Sequence, residues 1–507
     1  MKKKHERISF LIKLILPKIQ DIFFVGIFLA VIGIGPRMLN IDGDLGRHIT
    51  VGNYILDTHS IPTKDIFSHT MYGQTLTPHE WLSEVVFALV YRLGGLNGIV
   101  LCCAILLAVV FVFVYRVCLA RSQSIISALT LTLIAAAASS FHWLARPHLF
   151  TLLFVTSWGW LLYGIVYEKK GNRWVWLPVV MLVWVNMHGA FIAGFVLWTM
   201  YLFGLLTDIF LQKSKFEEHG ETIKRLMLGG VASLVVTGIN PAGLRIWETS
   251  VGFLRNKYLV THTAEYMSPN FHEISALPFL GMILLTILIV GLNRKQNTAT
   301  DVYLIGGWMV MGLISIRNVP IFAVISAPIL ASGLMDLWKG YFKKSGIFQR
   351  DKNFQRIDWA LFGYFVPMLV VILTSWGLFS GLTLDYSGRG NVFYNDVFPV
   401  QAVNWLEDNP QEGNMFNYFP WGGYLLFRMW PDKFVFIDGQ TDFYGESLTR
   451  EYEEVITLGD DWEDVFDKYK VDWLIIPDDT RLAHELLQSR KWNQVYEDST
   501  AMVFQCP

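Results

Sequence analysis

A succession of apolar runs, each close to the length needed to cross a bilayer, constrains this chain more than any other feature. A helical span needs about 20 predominantly apolar residues. Eleven such runs, two of them short, fall at about 21–38, 97–115, 123–141, 149–167, 174–187, 190–211, 226–240, 276–292, 302–316, 319–338 and 358–381. Inside hydrocarbon the backbone must satisfy its own hydrogen bonds, so each run reads as a helix. Composition agrees. Residues of the AVILMFWYC set make up 53% of the 507, and charged residues 17%, against about 25% in an ordinary soluble domain. A soluble multidomain chain, a disordered chain and a coiled coil are excluded. The stretch His79–Gly95 carries Glu80, Glu84 and Arg92 at helical spacing and reads as an amphipathic interfacial helix.

Charge sets the orientation. Leu382–Pro507 holds 23 acidic and 9 basic residues, a net of −14, while the residues before it hold 20 and 32, a net of +12. With the N-terminus inside, the inner segments carry 23 basic residues and the outer segments before the tail carry 9, counting Arg37 at the outer end of the first span. The inner set includes Lys2, Lys3, Lys4, the Glu168–Arg173 loop, the Gln212–Arg225 loop, Arg294–Lys295 and the Lys339–Arg356 loop. That is the positive-inside pattern. It predicts a multi-pass protein of the cell membrane, with a cytoplasmic N-terminus and an extracytoplasmic tail. The basic, then amphipathic N-terminus lacks a small-residue cleavage site and reads as an uncleaved anchor. Cys102, Cys103, Cys118 and Cys506 suggest no disulfide pairing or redox motif. A basic belt followed by an acidic, aromatic tail is no nucleic-acid footprint. Two domains follow: 1–381 in the membrane, with long outer loops 39–96 and 241–275, and 382–507 outside it.

The first outer loop opens Asn40-Ile41-Asp42-Gly43-Asp44-Leu45-Gly46-Arg47-His48. Two carboxylates flank a glycine where the chain leaves a span. Such a pair can bind a hard cation through oxygen ligands, or one acid can serve as general base. The same two acids can instead cap the helix beginning near Leu45. Later outer turns hold Phe141-His142-Trp143-Leu144-Ala145-Arg146-Pro147-His148, Trp184-Val185-Asn186-Met187-His188, His262-Thr263-Ala264-Glu265 and Arg317-Asn318. The predicted topology brings Arg146, His148, Asn186 and His188 to one outer face. Arginine can bind phosphate through two hydrogen bonds at once. Each His or Asn can also be a satisfied interfacial polar group, and Arg317 an interfacial anchor.

The loop from Asp42 to Glu84 strongly resembles the first outer loop of bacterial GT-C glycosyltransferases. These polytopic enzymes use polyprenyl-phosphate sugars and are related in layout to protein mannosyltransferases and oligosaccharyltransferases. The matching positions are Asp42, Asp44, His48, Gly52, Ile61-Pro62, Asp65, Phe67-Ser68, Thr70, Gly73 and His79-Glu80-Trp81-Leu82. Many relatives carry an aromatic where Arg47 stands. The resemblance implies Asp44 or Asp42 as the catalytic base. It implies substrate contacts from His48, Arg47, Asp65, His79, Glu80, Arg146, His148, Asn186, His188, Glu265 and Arg317. Metal-dependent oligosaccharyltransferases carry a second acidic pair after the third span, and this chain has none there. A divalent cation, Mg²⁺ or Mn²⁺, would rest on Asp42, Asp44 and Glu265, and none is expected to be obligatory.

From about Asp385 the pattern changes to short alternations. Helices are expected at Pro399–Asn409, Asp461–Tyr469 and Thr480–Ser489, and strands at Gly413–Tyr418, Phe434–Ile437, Val471–Ile476, Trp492–Tyr496 and Ala501–Phe504. That is a small α/β domain without a GxGxxG, a Walker loop or a serine elbow. Its densest stretch, with Trp421, Tyr424, Asp438 and Asp442, has the aromatic and polar groups of a sugar site. Trp421 and Tyr424 can equally dock the domain on the membrane core. The expected fold is an α-helical polytopic membrane protein, GT-C-like with about eleven spans, followed by a small extracytoplasmic α/β domain. The expected activity is inverting transfer of a sugar from a polyprenyl-phosphate carrier to a glycan, lipid or protein acceptor. The alternatives are an oligosaccharyl or O-antigen-type transferase using polyprenyl diphosphate, and a lipid or sugar transporter.

Overall fold

The computed structural model describes residues 10, 12–211, 215–293, 298–341, 347–489 and 491–506. Lys2–Lys4 and Arg294–Lys295 lie outside the described residues. Each of the eleven apolar runs lies mostly on helix, although 358–381 is interrupted between Ala360 and Phe365 and 226–240 leaves its helix after Val236. Among the described residues seven helices are long and apolar enough to cross a membrane: Ile12–Gly33, Trp81–Ser122, Ile125–His142, His148–Val166, Gly189–Phe210, Ile274–Leu292 and Ile316–Lys339. Ala299–Ile314 and Phe365–Phe379 are apolar but shorter. The runs at 174–187 and 226–240 become Trp176–Met187, of 12 residues, and Gly220–Val236, of 17. The eleven expected spans, two of them read as short, are therefore seven long helices and four shorter ones. Trp176–Met187 and Gly220–Val236 pack against each other and on their neighbours, so neither has to cover the hydrocarbon alone.

Helix Trp81–Ser122 is broken at Gly95, where φ is 58° and ψ −150°. The interfacial segment read from the sequence is thus a separate helical arm turned off the second span. Deeper in the bundle, Ile125–Ser139 buries Ala128, Ala135 and Ala138 and lies against Val319–Tyr341, which buries Ala323, Ala327 and Ala331. Small side chains let the two backbones approach closely, and Ser127 Oγ donates to the Ala331 carbonyl at 2.7 Å.

The tail carries a four-stranded sheet: β1 Asn414–Asn417, β2 Val471–Pro477, β3 Asn493–Glu497 and β4 Ala501–Gln505. The spatial order is β1-β2-β4-β3, with β1 parallel to β2 and the other pairs antiparallel. The strand expected at Phe434–Ile437 is absent. Its backbone is engaged by the first outer loop instead: Val435 N–H donates to the Phe67 carbonyl at 3.2 Å and its own carbonyl accepts from His69 at 3.1 Å. Helices Gly422–Met429 and Thr441–Thr457 were not expected.

First loop and tail share one apolar core. Val51, Ile55 and Phe67 pack with Phe398, Trp421, Tyr424 and Trp473. Glycines allow this contact: a Cβ at Gly46 would strike the Gly423 carbonyl, and one at Gly423 the Gly43 carbonyl. Helix Asp44–Thr58 therefore lies backbone to backbone on Gly422–Met429. Replacing Gly423 by Val overpacks this seam and is expected to cost about 1–3 kcal/mol. Gly26→Ala, which meets nothing within 4 Å, should leave stability unchanged. Thermal unfolding of the two variants in detergent measures the difference, and equal melting temperatures would show that the seam is not tight.

Candidate active site

Asp42 and Asp44 follow the helical turn Gly35–Asn40, and Asp44 opens helix Asp44–Thr58. Asp42 Oδ1 accepts the Asp44 backbone N–H at 3.1 Å, satisfying the first free N–H of that helix, although the N-cap position itself is Gly43. The turn that carries Arg146 is tied to the same place, because Ala145 N–H donates to the Met38 carbonyl at 3.1 Å. The Arg146 guanidinium forms close ion pairs with Asp44 and Glu265 and lies 3.5 Å from Asp42. Glu265 also lies 3.7 Å from Arg317, whose Nη1 donates to the Tyr266 hydroxyl at 2.8 Å and whose Nη2 donates to His188 Nε2 at 3.1 Å. His188 Nδ1 is 2.9 Å from the Thr151 hydroxyl. Its Nε2 is 3.4 Å from Glu80, which is 3.9 Å from both His48 and His79. Glu84 lies 3.5 Å from His48, and Asp442 lies 3.6 Å from His79.

This chain of polar groups lines a single cavity of about 810 Å³. Asp42, Asp44, Arg47, His48, His79, Glu80, Arg146, His148, His188, Glu265, Arg317 and Asp442 all face it. The cavity continues between the helices along Leu152, Ala193, Val196, Trp308, Met311 and Ile321. His148 Nε2–H donates to the His142 carbonyl at 2.9 Å, which orients its ring.

Burial pushes the Asp42 carboxyl up to about 6; Arg146 opposes the shift, and Asp44 and Glu265 add to it. Burial also disfavours charge on Glu265, yet Arg146 and Arg317 hold it well below the usual carboxylate range. Burial works against protonation of His48, but Glu84 and Glu80 raise it above the ordinary imidazole value. His79 is raised in the same way, against its burial, by Asp442 and Glu80.

Five expected site residues stand outside the cavity lining. Asp65 shapes its own turn, accepting from Phe67 N–H and from the Ser68 hydroxyl at 2.6 Å. Asn186 ties helix ends together, accepting from Trp81 Nε1 at 2.7 Å. Trp421 donates to the Val397 carbonyl at 2.8 Å, and Tyr424 is buried against Phe393 and Phe398. Both take the docking role. Asp438, with no exposed surface, pairs with Arg47 at 3.3 Å. Arg47 faces the cavity, but Asp438 and Gln440 occupy its guanidinium. Sequence reasoning did not assign Glu84, Tyr266 or Gly439 to the site. Glu84 was legible, four residues from Glu80 on one helix face. Gly439 was not: a Cβ there would strike the Asp44 carboxylate, a contact set only by the tertiary fold.

The acids Asp42, Asp44 and Glu265 are the donor set that would hold Mg²⁺ or Mn²⁺. As arranged they do not fit one, because the guanidinium of Arg146 stands between them. Among the described residues no group of three or more His, Cys, Asp or Glu side chains has metal-holding geometry.

No protein-family model and no curated protein matches the sequence. Solved structures do. The oligosaccharyltransferase AglB of Archaeoglobus fulgidus, in complex with an inhibitory peptide and a dolichol-phosphate, superposes with a TM-score of 0.55 at 12% identity, over 90% of this chain and 69% of that one. The apo oligosaccharyltransferase of the same organism gives 0.54 at 11%, with the same coverage. ArnT of Cupriavidus metallidurans bound to undecaprenyl phosphate gives 0.52 at 14%, over 95% of this chain and 97% of that one. Both proteins are GT-C glycosyltransferases, and this chain has the same polytopic membrane fold.

Removing Arg146 leaves three carboxylates facing one another. Breaking a buried pair by deleting one partner costs about 3–5 kcal/mol, so Arg146→Met should lower the melting temperature markedly. Adding Asp44→Asn to that variant should recover part of the loss. An Arg146→Met protein as stable as wild type would show that water screens the acids.

Proposed function

We propose that this protein is an integral membrane glycosyltransferase that moves a sugar from a polyprenyl-phosphate carrier to an acceptor hydroxyl at the outer membrane face. The observation that carries the reading is the meeting of Asp42 with Arg146, Glu265 and Arg317 in one cavity that runs on into an apolar cleft between helices. The apolar cleft suits a prenyl tail. Arg146 and Arg317 suit its phosphate, as guanidinium groups do. The fold shared with proteins whose structures hold a dolichol-phosphate or undecaprenyl phosphate supports the donor class.

In this reading the acceptor oxygen attacks the anomeric carbon opposite the phosphate, which inverts the configuration. The new C–O bond forms as the C–O bond to phosphate breaks, and the acceptor proton passes to Asp42. A carboxylate near 6 is ionised at neutral pH yet basic enough to take that proton. Asp44, bound by Arg146, orients the pair. The departing phosphate monoester is stable as a dianion because its second pKa is about 6, and the two guanidinium groups stabilise its charge. The basic asymmetry of the sequence supports a cytoplasmic N-terminus and an outer tail.

A second reading, an oligosaccharyl transferase using a diphosphate carrier, draws on the likeness to AglB, of which this chain spans 69%; it spans 97% of ArnT. A requirement for Mg²⁺ or Mn²⁺ in the transfer assay would favour it.

Asp42→Asn should insert and fold normally, since the Asn side-chain oxygen can accept the same N–H, while transfer falls by about 10²–10⁴. In the wild type Asp42 acts deprotonated, so the rate should climb as pH rises through about 6 and level off above it. A flat profile from pH 5 to 8 would remove Asp42 as base. Arg317→Ala should weaken binding of undecaprenyl phosphate; unchanged affinity would place the phosphate elsewhere. Protease added to spheroplasts should clip the tail, and a protected tail would reverse the orientation.

A further inference from the structure

The proposed reaction leaves half of the cavity wall without a task. Glu80 lies 3.9 Å from His48, 3.9 Å from His79 and 3.4 Å from His188. Glu84 and Asp442 extend the group through His48 and His79. Four separate parts of the chain build it: helix Asp44–Thr58, the arm that begins His79-Glu80-Trp81, the turn at His188, and the tail helix Thr441–Thr457.

His48 is the informative member. It is 4% exposed, it faces the cavity, and its Nε2 has no hydrogen-bond partner. Its Nδ1 lies 3.5 Å from Glu84 and 3.9 Å from Glu80, so the carboxylates engage that nitrogen and Nε2 is the spare one. Buried polar side chains are nearly always paired. A buried imidazole with spare capacity on a cavity wall marks the place of a hydrogen-bonding ligand.

We propose that His48, Glu80, His79 and Asp442 form the acceptor subsite, and that it takes a neutral, hydroxyl-rich acceptor, namely a sugar. This rests on the glycosyl-transfer reading above. Sugar hydroxyls both donate and accept. The carboxylates of Glu80 and Asp442 accept from them, and the imidazole nitrogens offer both roles. An anionic acceptor would instead meet Glu80, Glu84 and Asp442 together. Gln440, Thr441 and Phe419 line the same cavity and add the amide, hydroxyl and aromatic face common in sugar sites. The distance to the reacting centre also fits. His188 contacts Arg317 at 3.1 Å and Glu80 at 3.4 Å, so one imidazole separates the phosphate side from the acceptor side.

The test uses the purified full chain with undecaprenyl-phosphate-linked [¹⁴C]hexoses as donors. Methyl glycosides and a Ser- and Asn-containing peptide serve as acceptors. Glu80→Gln and His48→Phe should each raise the KM for the methyl glycoside about tenfold or more, as expected when a hydrogen-bonding partner is lost from a polar site. The Kd for undecaprenyl phosphate should stay within about twofold, and an unchanged melting temperature in detergent shows that the variants are folded. The proposal is overturned if the acceptor KM is unchanged, if donor affinity falls along with it, or if wild type uses the peptide and no glycoside. Wild type that binds undecaprenyl phosphate and releases hexose only to water overturns the sugar acceptor alone. Wild type that neither binds that lipid nor consumes any donor overturns the glycosyl-transfer reading itself.

Discussion

One guanidinium holds the centre of this molecule. Arg146 meets Asp42, Asp44 and Glu265, which come from two loops far apart in sequence. Three carboxylates confined together repel one another strongly, and burial adds a desolvation penalty for each. A single planar cation with five donors offsets both effects because it can serve several oxygens at once. Lysine, with one point charge, could not span the three. The loops that carry these acids are held where they are because the alternative is an unpaired buried charge.

That arrangement needs a scaffold that delivers the segments accurately. The bundle supplies it by placing helix ends: the turn at Arg146 is pinned to Met38, and Asn186 is pinned to Trp81. At the other end of the bundle a separate set of polar ties does comparable work. Arg121 meets Asp301 at 3.0 Å, and Asp351 accepts from the Ile125 N–H at 3.1 Å. Buried polar bonds at both ends fix helix depth and rotation more sharply than packing against lipid can, since lipid chains are as apolar as the side chains they touch.

The fold was largely legible because its signal is hydropathy, which accumulates over twenty residues. All eleven runs lie mostly on helix, although only seven are long spans. The amphipathic arm after His79 was legible from Glu80, Glu84 and Arg92, and Gly95 is where it turns. In the tail, β2 and its flanking helices could be read from alternation. Phe434–Ile437 could not, because its partner is the first loop, some 366 residues away, and local pattern carries no information about a distant edge. The site divides in the same way. Charged residues at span ends could be placed on one face by topology, which brought Asp42, Asp44, Arg146, His188 and Glu265 together. Trp421, Tyr424 and Asp438 looked like binding groups because aromatic and acidic residues serve packing and recognition alike. Only coordinates show that Trp421 and Tyr424 serve the shared core, and that Asp438 is committed to Arg47.

The same facts change what the acidic tail is. A net of −14 over its residues suggests an independent surface. Yet its contacts with the membrane domain are specific: Asp438 neutralises Arg47, Asp442 faces His79, and Gly439 abuts the Asp44 carboxylate. Tyr258 of the late outer loop binds Glu453, and Asn256 donates to Glu446 at 3.0 Å. Helix Thr441–Thr457 thereby closes the cavity from the side opposite the spans, and the first loop is gripped between tail and bundle along the glycine seam. The tail is one wall of the site. Trp421 and Tyr424 in it stand outside the cavity lining, while Gly439, lacking a side chain altogether, leaves room for the Asp44 carboxylate.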